Sequence, residues 1–111
     1  MRPLGAIGFG LALAMQCVAA APQGAPSPAR ADALVRLVRQ DCGSCHGMRL
    51  TGGLGPPLTP QAIASKPDAA LVSSILYGRG GTPMPPWRDF VSEREAEWIV
   101  GQLRKGFPDA R

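Results

Sequence analysis

Apolar residues recur at the three- and four-residue spacing of an amphipathic helix in three stretches of this chain. The stretches cover residues 32–41, 68–77 and 92–106. The apolar positions that define them are Leu34, Val35 and Val38 in the first, Leu71, Val72, Ile75 and Leu76 in the second, and Ala96, Ile99, Val100 and Leu103 in the third. The pattern therefore predicts three main helices.

Residues with known preferences for helix ends mark where these helices begin and stop. Ser92 and Glu95 have the spacing of a capping box at the start of the last helix, and Gly106 follows its end. Gly78 is expected to end the second helix. The glycine- and proline-rich residues 47–60 predict a loop, and a short helix is expected over 60–65. No stretch requires a strand, so the predicted fold class is all-α with three to four helices.

The first predicted helix leads into the sequence Cys42-Gly43-Ser44-Cys45-His46, which we expect to end it. C-x-x-C-H is the attachment signature of c-type haem. The thiols of Cys42 and Cys45 can add to the haem vinyl groups as thioethers. His46 then lies on the proximal face of the ring, where a neutral imidazole nitrogen can bind the iron. These residues predict one covalently bound haem c.

Two other sites are compatible with a pair of cysteines at this spacing. A redox dithiol of the thioredoxin type requires a βαβ setting, and the chain shows no strand pattern. A zinc site requires four ligands, but His46 is the only histidine and there is no second pair of cysteines. Both are weaker interpretations than haem attachment.

A second axial ligand to the iron must come from a methionine once residues 1–20 are set aside, which leaves Met48 and Met84. Met48 follows His46 by two residues and must remain on the proximal side. Met84 comes after a predicted helix that can carry the chain around the ring, and the flanking Pro83 and Pro85 restrict its backbone. We therefore predict Met84 as the ligand; the alternative is a methionine that fills a gap in the core.

Two further features of the loops have an interpretation at the haem and a simpler one. Ten residues after His46, the carbonyl of Pro56 can accept the proton on the second ring nitrogen of the histidine, which would fix its tautomer. The alternative is an ordinary loop turn. Trp87 and Trp98 can pack against the haem or equally against the helices of the core.

The first residues of the chain are typical of a secretory signal peptide, with Arg2 followed by an apolar run and small residues up to Ala20. We therefore divide the chain into a signal peptide (1–20), a flexible leader rich in proline and alanine (21–30) and a cytochrome domain (31–108). Cleavage after Ala20 would remove Cys17. An uncleaved membrane anchor is the alternative, although glycines interrupt the apolar run.

Composition and charge exclude some functions and leave others open. Aromatic residues make up 5% of the chain, which suits a small core filled by a haem ring. The 12 lysines and arginines exceed the 8 acidic residues, giving a formal net charge of +4. Such a surface can steer the protein toward an acidic patch on a partner, or simply keep it soluble. Nucleic-acid binding is not expected, because the basic residues are scattered and no recognition motif accompanies them.

Taken together, the C-x-x-C-H motif, Gly55-Pro56-Pro57-Leu58 and the later Pro83-Met84-Pro85 resemble the class I cytochrome c family. The sequence around these motifs, including Gly81-Thr82-Pro83-Met84-Pro85-Pro86-Trp87, is similar to a narrower group, the NirC-like cytochromes. These are small periplasmic monohaem proteins encoded beside the haem-d1 nitrite reductase of denitrifying bacteria. The resemblance implies a helical fold wrapped around one haem.

The function expected from this resemblance is single-electron transfer. Iron bound by His46 and Met84 has no open position for a substrate, so we expect an electron carrier and not an enzyme. The implied partner is the haem-d1 nitrite reductase, and the implied location is the periplasm, with no stable membrane association and a monomeric state. The alternative is an accessory role in maturing haem d1. A gas-binding sensor or peroxidase, in which Met84 dissociates, is a third possibility.

Overall fold

A computed structural model describes residues 24–109, which form helices, turns and loops without any strand. The α-helices of this part are α1 (Pro28–Leu37), α2 (Gly43–His46), α3 (Pro60–Ile63), α4 (Asp68–Tyr77) and α5 (Glu93–Arg104), and a π-helical turn (Val38–Cys42) joins α1 to α2. The prediction of an all-α fold is confirmed. The predicted signal peptide, and residues 21–23 of the predicted leader, lie outside the described residues.

Helix α1 begins four residues earlier than the apolar pattern predicted. The hydroxyl of Ser27 accepts a hydrogen bond from the backbone N–H of Arg30 at 3.2 Å and caps the helix. Pro28 occupies the first turn, where its missing N–H costs nothing. Residues 28–30, which we assigned to the leader on composition, are therefore helical.

Helical backbone also continues through the Cys42–His46 motif, which we had expected to end the first helix. The π-helical turn follows α1 directly, and α2 then carries the chain to His46. The helix ends only at Gly47, where φ is +90°. The motif side chains are thus held on helical backbone continuous with α1. A π-helical turn within such a helix is common at functional sites.

The later helices follow their predicted boundaries closely. Helix α4 has the predicted range, and Gly78 (φ +68°) follows its end. The capping box of α5 is complete: the hydroxyl of Ser92 accepts from the N–H of Glu95 at 3.2 Å, and the Glu95 carboxylate accepts from the N–H of Ser92 at 2.9 Å. Helix α3 is shorter than predicted and ends at Ile63.

A single core cluster joins the three long helices to the loops between them. Leu34 and Ala96 are completely buried, one on α1 and one on α5. The buried residues of the cluster are Leu34, Val38, Leu50, Ile63, Val72, Leu76, Val91, Ala96, Ile99, Val100 and Leu103. Eight of the eleven apolar positions that defined the three predicted helices are in this list, and two more, Leu71 and Ile75, are partly buried against it, so the hydrophobic pattern indicated where the core lies.

Three arginines tie distant segments together at the edge of this core. Arg30 on α1 donates to both carboxylate oxygens of Glu95 on α5, at 2.7 and 3.0 Å, and to the carbonyl of Phe90 at 2.8 Å. Arg39 and Arg104 make comparable contacts with backbone carbonyls. Their acceptors are Phe107 and Pro108 for Arg39, and Ile63 and Lys66 for Arg104, which also pairs with Asp68.

Among the described residues, no helix is both long enough and apolar enough to cross a membrane.

The pairing of Glu95 with Arg30 makes a prediction about stability and pH. The hydrogen bond from Arg30 holds the pKa of the Glu95 carboxyl below its usual value, so the pair stabilises the fold above the unfolded pKa of about 4.3 and loses this contribution as pH falls through the folded pKa. Glu95→Gln keeps a capping side chain but removes the charge. Because Arg30 is 40% exposed, solvent screens the pair, and we expect a loss of about 0.5–1 kcal/mol at pH 7.

Denaturant unfolding of the haem-loaded protein at pH 7 and at pH 3 measures this loss. The difference between the variant and the parent protein should shrink at pH 3. Glu97→Gln, at an exposed position of the same helix, is the control. An equal loss at both pH values would mean that the charge of Glu95 contributes nothing.

Candidate haem site

The two cysteines and the histidine of the motif lie on adjacent helical turns. Cys42 ends the π-helical turn, and Cys45 and His46 end α2. Both cysteines are free thiols, both are half-buried, and Cys42 packs against the core. The hydroxyl of Ser44 donates to the carbonyl of Asp41 at 2.7 Å, which holds the turn between the two cysteines. This turn presents two thiols and an imidazole from neighbouring backbone positions.

Residues 47–58 fold back onto the end of α2 and complete its hydrogen bonds. The last carbonyls of a helix have no partner within the helix. Here the N–H of Gly55 donates to the carbonyl of Cys45 at 2.7 Å, and the N–H of Gly52 donates to that of His46 at 2.8 Å. A further bond, from the N–H of Leu58 to the carbonyl of Leu50 at 2.8 Å, closes the base of the loop. The loop is thereby fixed against the histidine.

The same loop positions an acceptor for the imidazole of His46. Nδ1 of His46 lies 2.7 Å from the carbonyl oxygen of Pro56. A carbonyl oxygen can only accept, so Nδ1 carries the proton and donates it. In the neutral imidazole the lone pair is then on Nε2, the nitrogen that remains free to bind a metal. The donor set and this tautomer fit a haem iron.

Gly55 leaves no space between the loop and the imidazole. A Cβ added at this position would lie 2.9 Å from both Nδ1 and Cε1 of the His46 ring. Real Cβ atoms essentially never approach that closely, so the ring packs directly against the Gly55 backbone. The loop therefore restrains the ring by contact as well as by the hydrogen bond to Pro56.

The environment of Cys42 does not suit a redox dithiol. Burial, together with the neighbouring Asp41 carboxylate, raises the pKa of the Cys42 thiol to about 11. The thiol is therefore neutral at pH 7, whereas reactive redox cysteines have a lowered pKa and react as thiolates. The described residues also contain no strand that could supply a βαβ setting. Covalent haem attachment needs neither a thiol of lowered pKa nor a βαβ setting.

The two candidate methionines are in different surroundings. Met48 is 65% exposed, and its sulfur would lie 3.6 Å from a Cβ added at Gly43, so it sits against the motif turn itself. Met84 is half-buried in the loop after α4. Its hydrogen bonds are with Arg79 and Thr82 of that loop. The structure thus brings His46 and Pro56 into contact, while ligation by Met84 stays a prediction.

Both tryptophans pack against the core cluster. Trp87 and Trp98 are half-buried beside it. The ring of Trp87 also contacts Phe90, with centroids 5.6 Å apart and the rings tilted by 58°. The backbone N–H of Trp87 donates to the carbonyl of Ile75 at 2.9 Å, which attaches the loop carrying Met84 to α4.

Two residues of the site were not found from the sequence. Leu50 adopts φ +60°, which is unusual for a bulky side chain, and is nevertheless buried in the core. It anchors the loop that positions Pro56. Thr82 connects Arg79 to Met84 through its hydroxyl. Leu50 gave no sequence signal, but threonine two residues before a predicted ligand, next to a proline, is a recognisable turn position.

Comparisons with known proteins indicate the family of this chain. Residues 29–101 match the profile of the family described as cytochrome c oxidase, cbb3-type, subunit III. Cytochrome c55X of Pseudomonas aeruginosa is 54% identical over 81 residues, which are 73% of this chain and 68% of that protein. A solved structure of a c-type cytochrome NirC is 53% identical, with a TM-score of 0.72, and the match covers 73% of this chain and 95% of that one.

A longer protein contains a related segment. The structure of dihydro-haem d1 dehydrogenase NirN in complex with DHE is 33% identical, with a TM-score of 0.60. The match covers 66% of this chain but only 16% of that one. The chain belongs to the c-type cytochromes, within the family of cytochrome c55X and NirC. This membership confirms the resemblance stated from the motifs and implies a covalently bound haem c.

The contact between Gly55 and the histidine ring predicts a steric requirement. Gly55→Ala should force the ring or the loop to move, and such overpacking typically costs about 1–3 kcal/mol. Gly80→Ala is the matched control, because a Cβ at Gly80 meets no atom within 4 Å. Denaturant unfolding of both haem-loaded variants provides the comparison. Equal stability of the two would show that the ring has room that the structure does not indicate.

Proposed function

We propose that this chain is a periplasmic monohaem c-type cytochrome that transfers single electrons to a haem-d1 nitrite reductase. Cys42 and Cys45 would hold one haem c as thioethers, and His46 and Met84 would bind its iron. The observation that carries this proposal is the 2.7 Å contact between His46 Nδ1 and the Pro56 carbonyl, because it leaves Nε2 available to the iron. Such a bond also raises the basicity of the ligand.

The proposed ligand set favours a carrier over an enzyme. When bound, the haem iron supplies a one-electron couple between its ferric and ferrous states. Bound by both His46 and Met84, the iron would have no open position for a substrate, and the methionine would raise its reduction potential. The family membership, among cytochromes, supports this role.

The excess of basic over acidic residues in the chain supports association with an acidic patch on the partner. Arg30, Arg39 and Arg104 are engaged in ion pairs within the fold. The other basic side chains of the described residues are all exposed. They are Arg36, Arg49, Lys66, Arg79, Arg88, Arg94 and Lys105. Charges of this kind raise the association rate in a salt-dependent way. A monomer exported by residues 1–20 would meet the reductase in the periplasm.

Stopped-flow mixing of the reduced, haem-loaded protein with an oxidised haem-d1 nitrite reductase tests the proposal. We expect rapid oxidation of the cytochrome, with a second-order rate constant that falls as ionic strength rises. A small-molecule oxidant serves as the control for an intact, accessible haem. If the small-molecule oxidant oxidises the cytochrome but the reductase does not, electron donation to the reductase is excluded.

A second candidate function is an accessory role in maturing haem d1. The similarity to a segment of dihydro-haem d1 dehydrogenase NirN favours it, because a related domain there belongs to a protein named for haem d1 chemistry. The haem would still transfer electrons, but to a biosynthetic enzyme. Deleting the gene separates the two roles: an accessory factor would leave the reductase without haem d1, whereas a donor would leave a complete enzyme that lacks electrons.

The predicted ligation by Met84 is tested by substitution. Met84→Ala should open an axial position, so the reduced protein should bind carbon monoxide and the reduction potential should fall on the order of 0.1 V, within the range of about 0.8 V set by axial ligands. Met48→Ala is the control and should change neither. If the parent protein already binds carbon monoxide at neutral pH, Met84 dissociates readily and a gas-binding role is favoured.

A further inference from the structure

Both backbone polar groups of Met84 are held within its own loop. Its carbonyl accepts a hydrogen bond from the N–H of Arg79 at 3.2 Å, and its N–H donates to the hydroxyl of Thr82 at 3.3 Å. The peptide groups on either side of Met84 are therefore both restrained. Since the side chain departs from this backbone, the direction of its Cα–Cβ bond is restrained before any ligand is bound.

The hydroxyl of Thr82 is the centre of this arrangement. It donates its proton to the carbonyl of Arg79 at 2.7 Å while accepting the N–H of Met84. The N–H of Thr82 donates to the same Arg79 carbonyl at 3.1 Å. One hydroxyl thus uses its donor and one lone pair to join the start of the loop to the methionine. A methyl group in its place could do neither.

The surroundings of the loop limit other ways of holding Met84. Pro83 and Pro85 flank the methionine and have no N–H of their own. On the other side, Gly78 lies so close that an added Cβ would be 2.6 Å from the Met84 carbonyl oxygen. Without the Thr82 hydroxyl, the N–H of Met84 has no acceptor in this loop. The carbonyl of Met84 would remain in place, and its N–H would become free to rotate toward water.

We propose that Thr82 is a positioning residue for the axial methionine, and that its hydroxyl strengthens the bond between the Met84 sulfur and ferric iron. This inference rests on the proposed ligation by Met84. A methionine ligand raises the reduction potential because it stabilises ferrous over ferric iron, so its bond to ferric iron is the weaker one. That bond depends most on a backbone that already points the sulfur at the metal, as in other preorganised binding sites.

Displacement of the methionine by imidazole in the ferric, haem-loaded protein measures the effect. Thr82→Val keeps the shape of the side chain but removes the hydroxyl, and we expect it to bind imidazole about fivefold more tightly, the effect of one lost hydrogen bond. The charge-transfer band between ferric iron and methionine sulfur should weaken, and the reduction potential should rise, because the ferric form loses stabilisation that the ferrous form keeps. Thr82→Ser restores the hydroxyl and should return all three readouts toward those of the parent protein.

Matched controls separate positioning from general damage to the fold. Ser65→Ala removes a hydroxyl from an exposed serine between α3 and α4, outside both loops of the site, and should leave imidazole binding unchanged. Denaturant unfolding of the ferrous protein reports whether Thr82→Val destabilises the fold as a whole. Comparable imidazole affinities for Thr82→Val and the parent protein would overturn the proposal, and so would failure of Thr82→Ser to restore binding.

The same measurements test ligation by Met84 separately from the role of Thr82. If the parent ferric protein lacks the iron–sulfur band, or if Met84→Ala leaves that band in place, Met84 is not the ligand and the proposed ligand set fails. If Met84→Ala abolishes the band while Thr82→Val leaves band, potential and imidazole affinity intact, ligation stands and the role of Thr82 is refuted.

Discussion

The hydrogen bond between His46 and the Pro56 carbonyl depends on how the chain completes the end of a helix. Helix α2 ends with the residue that must face the metal, and its last carbonyls require partners. The N–H groups of Gly52 and Gly55 supply them, and in doing so they draw the loop over the histidine. The acceptor for the imidazole is therefore placed by the same bonds that terminate the helix. The same hydrogen bonds therefore end the helix and orient the histidine.

Much of the fold could be predicted because local preferences and packing agree. Helix α4 has its expected bounds, and α5 has the expected capping box, since the residues that start and stop each helix sit beside an apolar stripe that is in fact buried. The start of α1 was missed because Ser27 and Pro28 lie in a stretch whose composition suggests a flexible segment. Besides the Ser27 cap, the contact of Arg30 with Glu95, 65 residues away, restrains that first turn, and such a contact leaves no trace in a local pattern.

The candidate site shows a similar division. The motif and the ten-residue spacing to Pro56 were visible in the sequence, and the structure places that carbonyl at the histidine. The contact of Gly55 with the ring and the positive φ of Leu50 depend on the path of the loop backbone, which residue types alone do not determine. The hydrogen bonds of Thr82 are of the same kind. The types of residue that form the site could be predicted from the sequence, whereas their positions depend on the path of the backbone.

The loop after the motif is built from contacts between near neighbours in the sequence. Its hydrogen bonds span between two and ten residues, whereas the arginine contacts that join the first helix to the end of the chain span 60 residues or more. Closing a short segment costs less chain entropy than closing a long one, by about 0.6 kcal/mol for each doubling of length, and structures rich in local contacts form fastest. The loop on the histidine side of the site therefore closes at a smaller entropy cost than the contacts that dock the last helix.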